Sequence, residues 1–406
     1  MRTLILSDLH LGGVSRSDVL RRPELRAPLL EAVKEVDRVI LLGDVLELRH
    51  GPPRHALAVA RPFFEDLGRA LAGGELVVIA GNHDYPLIEP WLARRAEQED
   101  PPPLGVEQLL SPQEASPMLA RLAGWASPAQ VTVAYPGVWV RPDVYAMHGH
   151  YLDCHLTVPT LERLSVGVMS RLLKRPQNAF ASVEDYETVT SPVYAWRHEV
   201  ARHLRTGAAL NGIGTVHAWR ALGGGDGRAR DGRGQARERA LAGAAGRRRR
   251  VAGGWATAGR RLRRRALVGG FSLAVEALNR AGLGPLRADV SSRELRRAGL
   301  RAMGEVTSRL DLAGVYVVFG HTHRAGPLPG DQELEWRDER TGSATATVTR
   351  LVNSGCWTYD AIFLTPVPGE SPYWPGTCVL VEDSGPPVLK RLLAEFSHEQ
   401  LKPARA

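Results

Sequence analysis

Cysteine is scarce. The 406 residues hold three (Cys154, Cys356 and Cys378), too few and too scattered for a disulfide framework or a thiolate zinc site, so a reducing compartment is the expected setting. Long apolar runs are missing as well. The first one, residues 4–6, meets Ser7-Asp8 at once and is too short for the hydrophobic part of an export signal. The best membrane-span candidate, residues 266–283, is interrupted by Glu276, Asn279 and Arg280. Cytoplasm is therefore the expected location, with a peripheral place at the membrane left open by the basic segment described below. A 44% hydrophobic and 24% charged balance, with 42 Gly and 28 Pro, excludes fibrous and wholly disordered classes.

What is present divides by charge. The net charge is +8, but residues 155–310 carry 29 Lys+Arg against 12 Asp+Glu, or +17, which leaves 23 against 32, or −9, for the remainder. A break of this size predicts a basic insertion (155–310) between two parts of an acidic body (1–154 and 311–406). Within the insertion, residues 223–265 are Gly, Ala and Arg with little to bury, as expected of a flexible loop, whereas 161–173, 193–204 and 266–283 have apolar residues at helical spacing.

The body alternates strand and helix signals. Residues 3–6, 38–42 and 76–80 are short apolar runs followed at once by polar residues and glycine, and 26–36 and 56–71 between them carry apolar residues three and four apart. That is a βαβ pattern and predicts an α/β fold with a parallel central sheet. The strand pattern resumes at 315–319, 348–352 and 378–381. In such sheets functional groups gather beyond the carboxyl ends of the strands.

Five of these runs end in candidate ligands. They are Asp8-Leu9-His10, Gly43-Asp44, Gly81-Asn82-His83-Asp84, His148-Gly149-His150 after residues 144–147, and Gly320-His321-Thr322-His323. Imidazole with carboxylate and carbonyl oxygen suits Mn, Fe or Zn and is poor for Cu(I). Asp8, His10, Asp44, Asn82, His148, His321 and His323 are more ligands than one ion needs. With Asp44 bridging, they divide into two half-sites for cations about 3.5 to 4 Å apart. Any single Asp-x-His carries little weight: Asp153-Cys154-His155 repeats the spacing with no strand feeding it, and reads as a chance match.

As an ordered set, these motifs resemble those of the calcineurin-like metallophosphoesterase family, over roughly residues 1–153 and 311–360. The resemblance implies a four-layer α-β-β-α sandwich of two packed sheets flanked by helices, a dinuclear centre, and attack by metal-bound hydroxide on a phosphate ester or pyrophosphate. It implies Asp8, His10, Asp44 and His323 around one metal, and Asp44, Asn82, His148 and His321 around the other. His83 would not ligate, and would instead protonate the leaving oxygen or steady charge on the phosphorus centre. Its orienting partner is usually an aspartate three residues after the bridging one, where this chain has the longer Glu47. His150 stands where a branch of the family acting on nucleotide-linked lipids has aspartate, and it either contacts phosphate or hydrogen-bonds locally. Motif order and the place of the insertion are closest to the UDP-2,3-diacylglucosamine pyrophosphatase-like branch.

The insertion leaves the body just after His148 and returns just before His321, the position of a helical cap over the cleft. Its arginines fit an anionic partner: a phosphorylated small molecule or nucleotide-linked lipid, an anionic membrane surface, or nucleic acid. The arginine runs lack the interleaved aromatics that stack bases, which disfavours nucleic acid. The reading is thus a phosphoester hydrolase using two divalent cations, manganese first among them. Its alternatives are a metal-dependent nuclease and a non-catalytic anion-binding protein with a structural metal site. Trp336, Trp357 and Trp374 read as core or turn anchors, and Asn353-Ser354-Gly355 as the closure of the sheet beside the site.

Overall fold

The structure is a computed structural model that describes residues 1–203, 273–289, 291–341 and 346–403. Runs of β-branched and leucine residues form β1 (Thr3–Leu6), β2 (Arg38–Leu42) and β3 (Glu75–Ile79), which pair in parallel. The chain then adds β4 (Glu107–Leu110), the long β5 (Gln130–Arg141) and β6 (Val144–Met147). After the insertion come β7 (Tyr316–Phe319), β8 (Arg337–Thr341), β9 (Ala346–Asn353), β10 (Thr377–Val381) and β11 (Val388–Arg391). The order across the sheet is β11-β10-β1-β2-β3-β5-β6-β7-β9-β8, with β4 on β5.

β5 makes the sheet fold over. Its first half pairs with β3 and its second with β6, and Pro136-Gly137 marks the change. Proline removes a ladder donor and glycine leaves room for the bend. A Cβ on Gly137 would strike the Tyr145 hydroxyl. The two halves bury Ile5, Ile40, Leu42, Val77 and Ile79 on one side against Val138, Val144, Ala146, Val318 and Val352 on the other.

Helices cover the outer faces. Leu29 of α1 (Pro23–Val33), Phe63 and Leu67 of α2 (Pro53–Leu71) and Leu119 of a short helix at Pro117–Trp125 pack on Leu4, Leu41, Val78 and Val133. On the other half, the helix Ser292–Arg309 buries Met303 and Val306, and a Cβ on its Gly304 would touch Asp338 of β8. This is the expected α/β sandwich with its four layers.

Packing divides the chain differently from charge. One compact unit comprises Met1–Leu156, Ser165–Ala209 and Gly299–Ala406, and the other Thr157–Leu164 and Leu210–Ala298. The helix α3 (Val183–His203) belongs to the first unit. It starts ten residues before the helix expected at 193–204 because Ser182 and Asp185 cap its N-terminus, with Asp185 N–H on Ser182 Oγ at 3.3 Å and Ser182 N–H on Asp185 Oδ2 at 3.1 Å. Pro192, which looks like a helix start, lies inside it. The expected loop at 223–265 and the first seven residues of the helix expected at 266–283 lie outside the described residues, while residues 273–280 are helical. Among those described, no helix is long and apolar enough to cross a membrane.

Candidate metal centre

β1, β2 and β3 run parallel in register, as do β6 and β7, so the residues that follow them emerge together. Bonds from Asp8 N–H to Gly43 O (3.1 Å) and from His10 N–H to Asp44 O (2.9 Å) carry the first pairing past the strand ends. There the backbone leaves the strand region. Asp8, His10, Asp44, His321 and His323 have φ of +56°, +47°, +52°, +66° and +59°. In this left-handed region a residue with a Cβ is strained by roughly 1–2 kcal/mol. Close packing also requires glycine. A Cβ on Gly81 would collide with Asp44 Oδ1, and one on Gly320 with Ser7 Oγ and Asp8 Oδ2.

The seven expected ligands come together. His323 Nε2 is 3.3 Å from Asp8 Oδ1 and 3.1 Å from His10 Nε2, and His10 Nε2 is 3.7 Å from Asp44 Oδ2. Asp44 Oδ2 also lies 3.4 Å from His148 Nε2. The Asn82 amide sits 3.2 Å from both His148 Nε2 and His321 Nδ1 and 3.3 Å from Asp44 Oδ2. Among the described residues, three groups of His and Asp could hold a metal ion: Asp8, His10 and His323; His10, Asp44 and His83; and Asp44, His148 and His321. Asp44 and His10 are each shared between two of them.

Hydrogen bonds fix which nitrogen of each ring faces inward. His148 Nδ1 donates to Leu42 O at 2.9 Å, His10 Nδ1 to Glu47 Oε2 at 3.1 Å, and His321 Nε2 to Asp153 Oδ2 at 3.1 Å. The opposite nitrogens are turned to the cluster. Asp8 Oδ1 is buried without a hydrogen-bond partner. Lone pairs packed this closely need positive charge between them, from protons or from metal ions. Burial disfavours charge on His148, but the Asp44 carboxylate outweighs it and raises this imidazole to about 9. Burial likewise opposes ionisation of Asp8, and His323 reverses that, holding the carboxyl down at about 2.

Glu47 does reach His83. Its Oε2 accepts from His83 Nδ1 at 2.8 Å as well as from His10, and lies 3.4 Å from Nδ1 of His50, while Oε1 accepts from Arg49 N–H at 2.9 Å. Asp84 braces the floor, accepting from Val45 N–H and Gly81 N–H at 2.7 Å each and from Leu46 N–H at 3.2 Å. Asn353 fixes the loop after β7 by donating to Gly320 O at 2.9 Å and Thr322 Oγ1 at 3.0 Å. The three tryptophans are buried, and Trp374 donates to Leu393 O at 2.8 Å.

One expectation needs correcting. His150 makes no local hydrogen bond: both ring nitrogens are buried without a partner, and the ring packs edge-on to Tyr151 and Tyr194 at 4.7 and 5.5 Å. Burial, with His148 beside it, pushes this imidazole far below its usual range, so it is a neutral spacer. The Asp153-x-His155 spacing is the expected chance match, but Asp153 has a role of its own. It lies in a short turn, His150–Cys154, and holds His321, whereas His155 turns away to the Tyr186 hydroxyl at 2.7 Å.

An α/β sandwich whose strand ends gather histidine and aspartate around a common point has the donor groups that could hold a metal ion. The model of the calcineurin-like phosphoesterase family matches residues 1–204, half of the chain, and the protein belongs to that family of phosphoester hydrolases. No curated protein matches the chain. The match ends before His321 and His323, which the fold nevertheless returns to Asp8 and Asp44.

Proposed function

We propose that the protein is a hydrolase of phosphate esters or pyrophosphates that works with two divalent cations. Asp8, His10, Asp44 and His323 would hold one, and Asp44, Asn82, His148 and His321 the other. The observation that carries this reading is the convergence around Asp44 of ring nitrogens and carboxylate oxygens from five separate strand ends, with Asp8 Oδ1 buried and without a hydrogen-bond partner. Asn82 fits the role. With its carbonyl turned inward it joins Asp44 Oδ2, His148 Nε2 and His321 Nδ1 as a fourth lone-pair donor within 3.3 Å, and with its amide turned inward the carbonyl accepts from Arg49 at 3.0 Å instead. Cations bound there supply Lewis acidity toward phosphate oxygens and a lowered pKa for water. Manganese is the proposed metal, with iron or zinc as alternatives.

The residues do the rest. His323 and His83, with side chains 35% and 22% exposed against 0–2% for Asp8, Asp44 and His148, line the open side by which substrate enters. Bonding of His83 Nδ1–H to Glu47 leaves Nε2 to exchange a proton with the leaving oxygen. Burial, opposed by Glu47, holds His83 down at about 4, so Nε2 is a bare acceptor at neutral pH, placed to take a proton from the attacking water and pass it to the leaving oxygen. The proposed substrate is a phosphorylated small molecule or nucleotide-linked lipid, supported by the motif order and by the arginine-rich insertion. The test is hydrolysis of bis(p-nitrophenyl) phosphate, a p-nitrophenyl monoester and a nucleotide pyrophosphate with Mn(II), comparing wild type with Asp44→Asn and His83→Ala. Both substitutions are expected to abolish most turnover, and unchanged turnover in both refutes the reading.

A further inference from the structure

We infer that Asp153 is a positioning residue for the half-site of Asp44, Asn82, His148 and His321: by accepting the Nε2 proton of His321 it fixes the ring so that Nδ1 is presented to a metal ion. The inference rests on the proposed function above and adds to it a residue outside the motif set. Asp153 is 2% exposed, and its Oδ2 lies 3.1 Å from His321 Nε2. The other face of the same ring, Nδ1, is 3.2 Å from the Asn82 amide. A neutral imidazole has one N–H, and an aspartate near neutral pH can only accept, so this contact assigns the proton to Nε2 and the lone pair to Nδ1. His321 stands at φ +66° in the loop after β7, where no strand pairing fixes its ring. Outer partners that hold a ligating imidazole this way usually matter for affinity by about 10- to 100-fold.

The turn that carries Asp153 is itself held rigid. Gly149 opens it at φ +104°, Leu152 N–H bonds Gly149 O at 3.0 Å, and His155 N–H bonds Leu152 O at 2.9 Å. The Tyr151 ring stacks on Tyr186 of α3 with centroids 4.7 Å apart, and its hydroxyl donates to the Glu187 carboxylate. Asp153 therefore meets His321 from a fixed place, as a positioning group must. The two carboxylates divide the centre between them: Glu47 orients His10 and His83, and Asp153 orients His321.

The experiment titrates Mn(II) into the metal-free full-length chain by calorimetry for wild type, Asp153→Ala and Asp153→Asn, and reads the His321 tautomer in the metal-free proteins by long-range 1H–15N NMR. Expected are two binding steps in wild type, one of them weakened about 10- to 100-fold in Asp153→Ala with the other unchanged. Asp153→Asn keeps a neutral acceptor and should weaken that step by less than about 10-fold, with kcat falling more than KM rises. The wild-type tautomer is expected to be Nε2–H, becoming mixed in Asp153→Ala. Should that variant fail to fold, Asp153→Asn alone decides, since a purely structural role would move neither its Mn(II) step nor kcat. Two unaltered Mn(II) steps in the variants, or a wild-type His321 carrying its proton on Nδ1, overturn the inference. Failure of wild type to bind Mn(II) at all would instead overturn the proposed function.

Discussion

Shortening Glu47 by one methylene tests whether its length is what completes the dyad with His83. The carboxylate is 2% exposed in its side chain and serves His83 Nδ1 at 2.8 Å and His10 Nδ1 at 3.1 Å. Glu47→Asp draws the carboxyl back by roughly one carbon–carbon bond, about 1.5 Å. The 2.8 Å contact would open to about 4.3 Å, outside hydrogen-bond range. The backbone cannot follow, because Glu47 N–H is tied to Leu11 O at 3.0 Å and the preceding Val45 and Leu46 N–H groups are tied to Asp84. An imidazole that has lost its orienting partner forfeits much of an acid–base contribution of about 10²- to 10⁴-fold, so kcat should fall at least about 10²-fold. His10 loses its outer partner too, and Mn(II) affinity should drop by about 10- to 100-fold at the Asp8 half-site. The assay is steady-state hydrolysis of a phosphodiester from pH 6 to 9 with parallel Mn(II) calorimetry, and Glu47→Gln as a control of full length. Wild-type kcat and affinity in Glu47→Asp would show that the 2.8 Å contact has no part in catalysis.

Other perturbations follow from the same geometry. Gly81→Ala places a methyl group on Asp44 Oδ1 and against His148, so it should destabilise the fold by about 1–3 kcal/mol and remove Mn(II) binding; calorimetry showing wild-type binding would contradict the packing. Glu187 is raised above the usual carboxylate range by burial, although it accepts from the Tyr135 and Ser191 hydroxyls. Its folded state holds the proton more tightly than the unfolded chain, so the group disfavours folding increasingly as pH rises from the ordinary glutamate value through the raised one. Glu187→Gln should therefore melt progressively higher relative to wild type as pH goes from 5 to 8, and a constant difference would refute the sign. Deleting residues 223–265 should weaken binding to anionic vesicles most at low salt, and equal binding at every salt concentration would reduce that segment to a tether.

Much of the fold was legible because buried parallel strands leave short, continuous apolar runs. β1, β2 and β6 coincide with such runs, and β3, β7 and β10 begin or end within one residue of theirs. β5 was not legible: its Pro136-Gly137 pair carries a turn signal, yet it marks where one strand passes between two halves of a sheet. The edge strands β4, β8 and β11 escaped for another reason, since a half-exposed strand such as Val388–Arg391 has too few apolar residues to make a run. In the site, residues directly following a strand were found by position. Asp153 and Asp84 were not recognised as supports because their work, holding an imidazole and bracing backbone amides, sets no sequence spacing.

The left-handed residues show why the ligands could be found at all. A side chain just after a strand, kept in extended backbone, would point to one face of the sheet or the other, where a helix or the second sheet already packs. Positive φ at Asp8, His10, Asp44, His321 and His323 takes those residues out of the extended backbone at the carboxyl ends of their strands, where the chain segments of the site meet. A sequence shaped for stability alone would put glycine or asparagine there, since at roughly 1–2 kcal/mol each the strain is a large share of a domain's net stability. Histidine and aspartate persist at these positions, and the supports that over-determine them come from elsewhere: Asp84 and Glu47 from the loops after β3 and β2, Asn353 from the end of β9, and Asp153 from the turn pinned by α3. Strain concentrated on ligand-type side chains and opposed by unstrained supports is the signature of a site whose geometry is imposed by the fold. The supports are therefore where substitution should lower metal affinity while leaving every ligand in place.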